Sequence, residues 1–454
     1  MSLRKILPVL FLSMPAFCPA DDVKQTDLFR RIKASIDAVP AIDTHDHLRA
    51  FEATPNRVMT PQGEGMTLHS IFAGSYYRWI NPLTPWPASG EFDEWWETAQ
   101  HDFADARATS FYRYLLPGFA DLYGVDFDTI TTAQARELNR RIFANYRDDK
   151  WLIDVVTNRA NIELMFIDPY WQRLKFAREY KFAVPLLNVT TIMQGSHPDR
   201  FDAPLNSPFV FAESRGLPSK TFDDFLNVID AIFAEAVANN CVCLKSTQAY
   251  QRTLRYENVS RERAEQIYGR SPAEVTDAEQ QEFEDFMFWH VCKLSAKYDL
   301  PFQVHTGQAR IQGSNPMLLV DLIEANPQTK FILFHGGYPW VGETGVIAMR
   351  HKNVWIDSVW LPTLSYTMAK RAYQEWLEAV PSDRIMWGAD TVNAEGIYAA
   401  AEFTRRCVAE ALAEKVERGE LREDHAHRIG RQIMRDNALK LFPSLQRMLW
   451  RDKR

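Results

Sequence analysis

Two histidines two residues apart begin the chemical reading of this sequence. They are His45 and His47, in Ile42-Asp43-Thr44-His45-Asp46-His47. On a strand that spacing turns both imidazoles to one side. Two converging imidazoles suit a borderline divalent metal such as zinc. Three more groups close later apolar runs: His305 in Gln303-Val304-His305-Thr306-Gly307, His335 in Leu333-Phe334-His335-Gly336-Gly337, and Asp390 in Met386-Trp387-Gly388-Ala389-Asp390-Thr391. Each has a plain structural reading when taken alone. A histidine closing a strand can be a satisfied core residue, and Asp390 can cap the next helix. Taken in order, at four separate strand ends, they read as one site.

Around them stand residues suited to binding a substrate. Tyr250 and Arg252 follow the run Cys243-Leu244-Lys245-Ser246, and Gln308 follows His305. An arginine at the rim of a metal pocket suits a carboxylate by bidentate pairing; an ordinary ion pair is its other reading. Cys241, Cys243, Cys292 and Cys407 lack the paired spacing of a zinc ribbon. They read as small buried hydrophobes, with one disulfide left open.

Such strand ends need a scaffold that gathers them. Short apolar or β-branched runs recur at 41–47, 161–168, 182–190, 241–247, 301–305, 330–335, 354–359 and 384–390. Helical patterns lie between most of them, as at 222–239, 278–298, 316–325 and 366–379. Eight strand-then-helix units in order predict a (β/α)8 TIM barrel, an α/β fold whose active-site residues sit at the C-terminal strand ends. Two spacings are too long for that rhythm. Residues 48–160 predict a helical cap insertion after strand one, and residues 248–300 a second insertion after strand four. The first holds an aromatic piece, Tyr76-Tyr77-Arg78-Trp79 through Trp86, that could wall the pocket.

Composition narrows the function. The chain has 454 residues, of which 46% are hydrophobic, an ordinary globular balance. Lys and Arg total 52 against 59 Asp and Glu. With no basic stripe, a nucleic-acid partner is excluded. Mean hydropathy is −0.31, and the long apolar stretch lies at the N-terminus, so a polytopic membrane protein is excluded too. That stretch follows Arg4 and Lys5 and ends in Cys18-Pro19-Ala20 before Asp21-Asp22. This is the plan of a signal peptide at 1–20, removed near Ala20. It leaves 21–454 as one exported domain, periplasmic or secreted.

The set His-x-His, His, His, Asp on strands one, five, six and eight resembles the metal-dependent amidohydrolase superfamily, and more closely its amidohydrolase-2 branch. The resemblance implies that His45, His47, His305 and Asp390 are metal ligands. It makes His335 a second ligand site or a contact to substrate, and Asp390 the general base. Some members carry a carboxylated lysine bridging two metals, which maps to Lys245. A free ammonium beside a dication would be repelled, so Lys245 is carboxylated, deprotonated or turned away; binding a substrate anion is its other reading. The implied cofactor is one or two divalent ions, zinc first, with manganese or iron as alternatives. The implied activity is hydrolysis of an amide, lactone or related C–N or C–O bond in a small carboxylate-bearing substrate. Decarboxylation or uronate isomerisation is the alternative on the same site. A homo-oligomer is left open.

Overall fold

The computed structural model describes residues 22–201 and 203–449, so the leader expected at 1–20 lies outside the described residues. Eight parallel strands form a barrel: β1 (Ala41–Asp46), β2 (Ile162–Ile167), β3 (Ala183–Pro185 and Leu187–Asn188), β4 (Leu244–Ser246), β5 (Phe302–Val304), β6 (Phe331–Leu333), β7 (Val354–Asp357) and β8 (Ile385–Met386). Each pairs with the next in chain order. The barrel closes where β8 meets β1. There Thr44 N–H donates to the Trp387 carbonyl at 3.2 Å and Asp390 N–H to the His45 carbonyl at 3.0 Å. A Cβ at Gly388 would lie 3.0 Å from the His45 nitrogen, so only glycine lets the two strands approach this closely.

The strands are shorter than the apolar runs that predicted them. β3 is broken at Leu186, just after Pro185, a residue with no N–H to donate to a ladder. The pairing of β1 with β2 shifts register between Asp43 and Asp46. A bulge there re-aims the end of β1.

Helices follow all strands but β2. The four main ones of the outer ring are Phe222–Ala238, Asp277–Tyr298, Tyr366–Ala379 and Ala394–Glu417. The first two pack through Phe222, Phe225 and Phe283. The helix Asp277–Tyr298 therefore belongs to the ring, and the excursion after β4 is shorter than the expected 248–300. The excursion after β1 carries a hairpin and several helices, including Phe92–Asp102 and Thr132–Asn145. Thr131 and Gln134 form a capping box that starts the latter.

The N-terminal end of the barrel is plugged. Ala438, Leu441, Phe442, Leu445 and Leu449 are buried together with Ile42, Leu164, Phe166, Val184, Leu186, Ile332 and Met386. Phe442 meets Phe166 edge-on with centroids 5.0 Å apart. Asn437 fixes the plug by donating to the carbonyls of Ser382 and Ile385 at 2.7 and 2.8 Å. All four described cysteines are buried and free. No described helix is long and apolar enough to cross a membrane.

Candidate metal centre

The opposite end of the barrel is where the strand-end residues converge. His45 ends β1 fully buried, with its ring edge-on to those of His47 and Phe334 at 4.9 and 5.0 Å. His305 and His335 follow β5 and β6 with rings 4.2 Å apart. Asp390 follows β8, and one oxygen, Oδ1, lies 3.2 Å from His47 Nε2. Both His335 and Asp390 have left-handed backbones, at φ 60° and 58°. For residues other than glycine this is strain of the kind that clusters at functional sites.

Proton bookkeeping at these rings shows what the site lacks. A carbonyl can only accept, so the 3.3 Å contact of His47 Nδ1 with the Asp168 carbonyl makes Nδ1 the donor. Burial lowers His47, but the Asp390 hydrogen bond and charge outweigh it and raise the ring above its ordinary value, so a proton on Nε2 faces Asp390 Oδ1. A conflict stands nearby. His305 Nε2 contacts the Gln308 carbonyl and His335 Nδ1 the Val359 carbonyl, both at 3.1 Å. That leaves His305 Nδ1 and His335 Nε2 facing each other at 2.9 Å. This meeting of lone pairs needs a proton or a metal cation. Donors sharing one ion at about 2.0–2.1 Å lie roughly 3 Å apart, so the distance suits a metal. The His45 Nδ1 and Lys245 Nζ atoms are also buried without a protein partner.

A third donor joins the first histidine pair. Asp168, the residue after β2, offers a carboxylate oxygen that lies with ring nitrogens of His45 and His47 inside a 4.8 Å cluster. Asp168 is fully buried. Its two oxygens accept from Asn188 Nδ2 at 2.9 and 3.2 Å. Neither Asp168 nor Asn188 was legible as a site residue. The one available signal was an aspartate closing an apolar run, with no motif around it.

Electrostatics sort the acids from the bases. Burial pushes the Asp390 carboxyl up, but the His47 hydrogen bond and charge outweigh it, holding Asp390 well below the carboxylate range. Burial, then the charge of Lys245, lowers His335 to about 3 and His45 well below its ordinary value. Both rings are therefore neutral, the form in which imidazole binds a metal. Burial brings Lys245 down to about 8 despite Asp168, Asp390 and Asp357. Its Nζ lies 3.7 Å from the centroid of the Phe334 ring. Beneath the site, Asp357 is pushed up to about 6 by burial, against the opposing effect of its hydrogen bond from Thr44.

A cavity of about 560 Å³ opens above His47 and Asp168. The first insertion forms one wall, where Tyr76 donates to Asp390 Oδ1 at 2.9 Å and Trp79 is exposed. Tyr250 lines the opposite side, its ring 4.5 Å from that of His305. Arg173, which the sequence did not single out, also lines it and donates to Thr191 at 3.0 Å. Gln308 meets the site through its backbone carbonyl. A groove of about 640 Å³ on the outer face of the first insertion holds none of the strand-end groups, so the barrel mouth is the candidate site.

The expectation for Arg252 is corrected. Its guanidinium is buried, contacts Asp285 at 2.5 Å and Glu284 at 3.4 Å, and donates to the carbonyls of Thr253, Gln281 and Arg255. The two carboxylates on the helix Asp277–Tyr298 consume the charge that was expected to meet a substrate.

The amidohydrolase-2 family model, described as amidohydrolase, matches residues 215–444, half of the chain. A stretch of 148 residues is 29% identical to Protein fluG of Emericella nidulans, covering 31% of this chain and 17% of that protein. The match therefore spans less than a fifth of that relative. A uronate isomerase from Thermotoga maritima superimposes over 91% of this chain and 97% of its own, with TM-score 0.71 and 15% identity. A glucuronate isomerase from Caulobacter crescentus does so over 94% and 95%, with TM-score 0.69 and 16% identity. A protein described as a metal-dependent hydrolase, from Lactobacillus casei, aligns over 92% and 99%, with TM-score 0.61 and 17% identity. These likenesses show a shared TIM-barrel fold.

Proposed function

The chain belongs to the amidohydrolase family, in its amidohydrolase-2 branch, and on that premise we propose a divalent-metal-dependent hydrolase acting on an amide, lactone or related C–N or C–O bond of a small carboxylate-bearing molecule. The observation that carries the reading is the meeting of His305 Nδ1 and His335 Nε2 at 2.9 Å, two buried acceptors that a cation would reconcile.

His45 and His47 would hold the ion, with His305, Asp390 and a carboxylated Lys245 as the further ligands the family suggests. Zinc suits the imidazole-rich set first, then manganese or iron. Bound there, a divalent cation supplies Lewis acidity, polarising a carbonyl and lowering the pKa of water to about 7.

The chain's own residues do the rest. Asp390 stays ionised, with Oδ1 held by Tyr76 and His47. Its Oδ2 takes the proton of the attacking water and returns it to the leaving nitrogen or oxygen. His335 is neutral and its Nδ1 faces the Val359 carbonyl, so its Nε2 lone pair would serve as a ligand atom for a second ion. Tyr250, which lines the cavity, would contact substrate, and Gln308 beside His305 is assigned the same role. The depressed Lys245 amine is the form that adds carbon dioxide, which keeps a second ion within the proposal. Export after cleavage near Ala20 belongs to it as well, and the mass of the chain recovered from the cell exterior tests it.

One observation favours a second reaction. The likeness to uronate isomerases runs over more than nine tenths of each chain, through the insertion after β1. On that reading Asp390 shuttles a proton between adjacent carbons of a uronic acid. Decarboxylation is the remaining alternative.

Elemental analysis of chain purified without chelator, followed by turnover assays on amides, lactones and uronic acids, tests these readings. Bound metal with hydrolysis is the expected result. Uronate turnover without hydrolysis replaces the first reading by the second, and failure to take up any divalent metal overturns both.

A further inference from the structure

We propose that Asp168, oriented by Asn188, is a further ligand of the cation beside His45 and His47. The inference rests on the metal-dependent reading above and goes beyond it. It adds a ligand from β2 to the set the family suggests.

Three observations converge. First, the donor atoms of Asp168, His45 and His47 form a cluster within 4.8 Å. Second, Asp168 is fully buried, and the hydrogen bonds its carboxylate accepts come from one neutral amide, Asn188. A buried carboxylate needs a positive partner. Lys245 attracts it electrostatically, yet forms no hydrogen bond and no ion pair within reach among the described residues. A divalent cation on the His45–His47 side supplies the missing charge. Third, His45 Nδ1 is a buried ring nitrogen of this cluster's residues without a hydrogen-bond partner.

The arrangement also assigns Asn188 a role. It lies on β3 next to Asp168, and its amide fixes the plane of the carboxylate. A ligand is held in this way by an outer partner whose loss typically weakens metal affinity roughly 10–100-fold. Asn188 is a positioning residue on this account, since it touches the carboxylate and not the ion.

Cobalt(II) is the probe, because its visible absorption reports the number and type of its ligands. Chelator-treated full-length protein is titrated with cobalt chloride, reading both the dissociation constant and the band pattern. Asp168→Asn is expected to raise the dissociation constant by more than about 100-fold, beyond the outer-partner range, and to change the bands. Asn188→Ala is expected to raise it roughly 10–100-fold with the bands retained. If Asp168→Asn proves unfolded by circular dichroism, Asn188→Ala, which removes only the orienting amide, carries the test. Wild-type affinity and bands in Asp168→Asn or, in that event, in Asn188→Ala, overturn the assignment. A wild-type chain that binds no cobalt overturns the functional reading itself, which is a different failure.

Discussion

At the N-terminal end of the barrel, Phe166, Val184, Leu186, Ile332 and Met386 are buried against Ala438, Leu441 and Phe442 of the closing segment. A few residues along the same strands, at the other end, Asp43, His45, Asp46, Lys245 and Gln303 are just as buried, yet each keeps a polar atom without a protein partner. The first arrangement gains free energy for every apolar surface removed from water. The second loses it for every polar group left unpaired. Stability is thus concentrated at the floor and chemistry at the mouth, and the unpaired groups are tolerated because the floor over-determines the strands that carry them.

Substitutions can break this division. The largest effect is expected at Asp390. Asp390→Asn should lower turnover by roughly 10²–10⁴-fold, the range for a lost general base, while the melting temperature stays level or rises. Initial rates and thermal melts on the same preparation check both halves. Phe442→Ala should do the reverse, losing about 3–5 kcal/mol of stability while the folded fraction still takes up metal. Urea unfolding paired with elemental analysis measures this. Equal losses of metal and stability in both variants would erase the distinction between the two ends.

Smaller effects sharpen it. Tyr76→Phe removes one hydrogen bond to an ionised carboxylate and should slow turnover about tenfold, roughly 1.4 kcal/mol, with no change in metal content. The smallest effect lies outside both ends. Burial holds His69 and His290 down to about 4, against an ordinary value of 6.5. The unfolded chain therefore binds more protons than the folded one between these values. Stability is fully present above about pH 6.5 and declines as pH falls toward 4. Urea midpoints at pH 7 and pH 5 should show this, and the slope should flatten in the pair His69→Gln and His290→Gln.

The barrel was legible because its strands are written locally, as short apolar runs each ended by a polar residue. All eight are found, shortened where Pro185 interrupts β3 and where β1 bulges. The His45–His47 spacing was legible for the same reason. What was illegible is non-local. Arg252 reads as an anion receptor until Glu284 and Asp285 arrive, 32 and 33 residues later. Tyr76 reads as one aromatic in a cluster until the insertion folds back and lays its hydroxyl on Asp390, 314 residues away. Asp168 has no motif of its own, and only Asn188 on the next strand gives its carboxylate an orientation.

The seam between β8 and β1 has a kinetic consequence. It joins Thr44 to Trp387 across 343 residues, the kind of distant pairing that slows folding. His45 and His47 lie on one lip and Asp390 on the other, so no partly folded chain presents the complete site. On the proposed function, a divalent ion shared across this joint would stabilise the sealed barrel by mass action. Metal uptake would then be a clock for the final step of folding, and an opening of this one joint would release the ion and disassemble the acid–base machinery together.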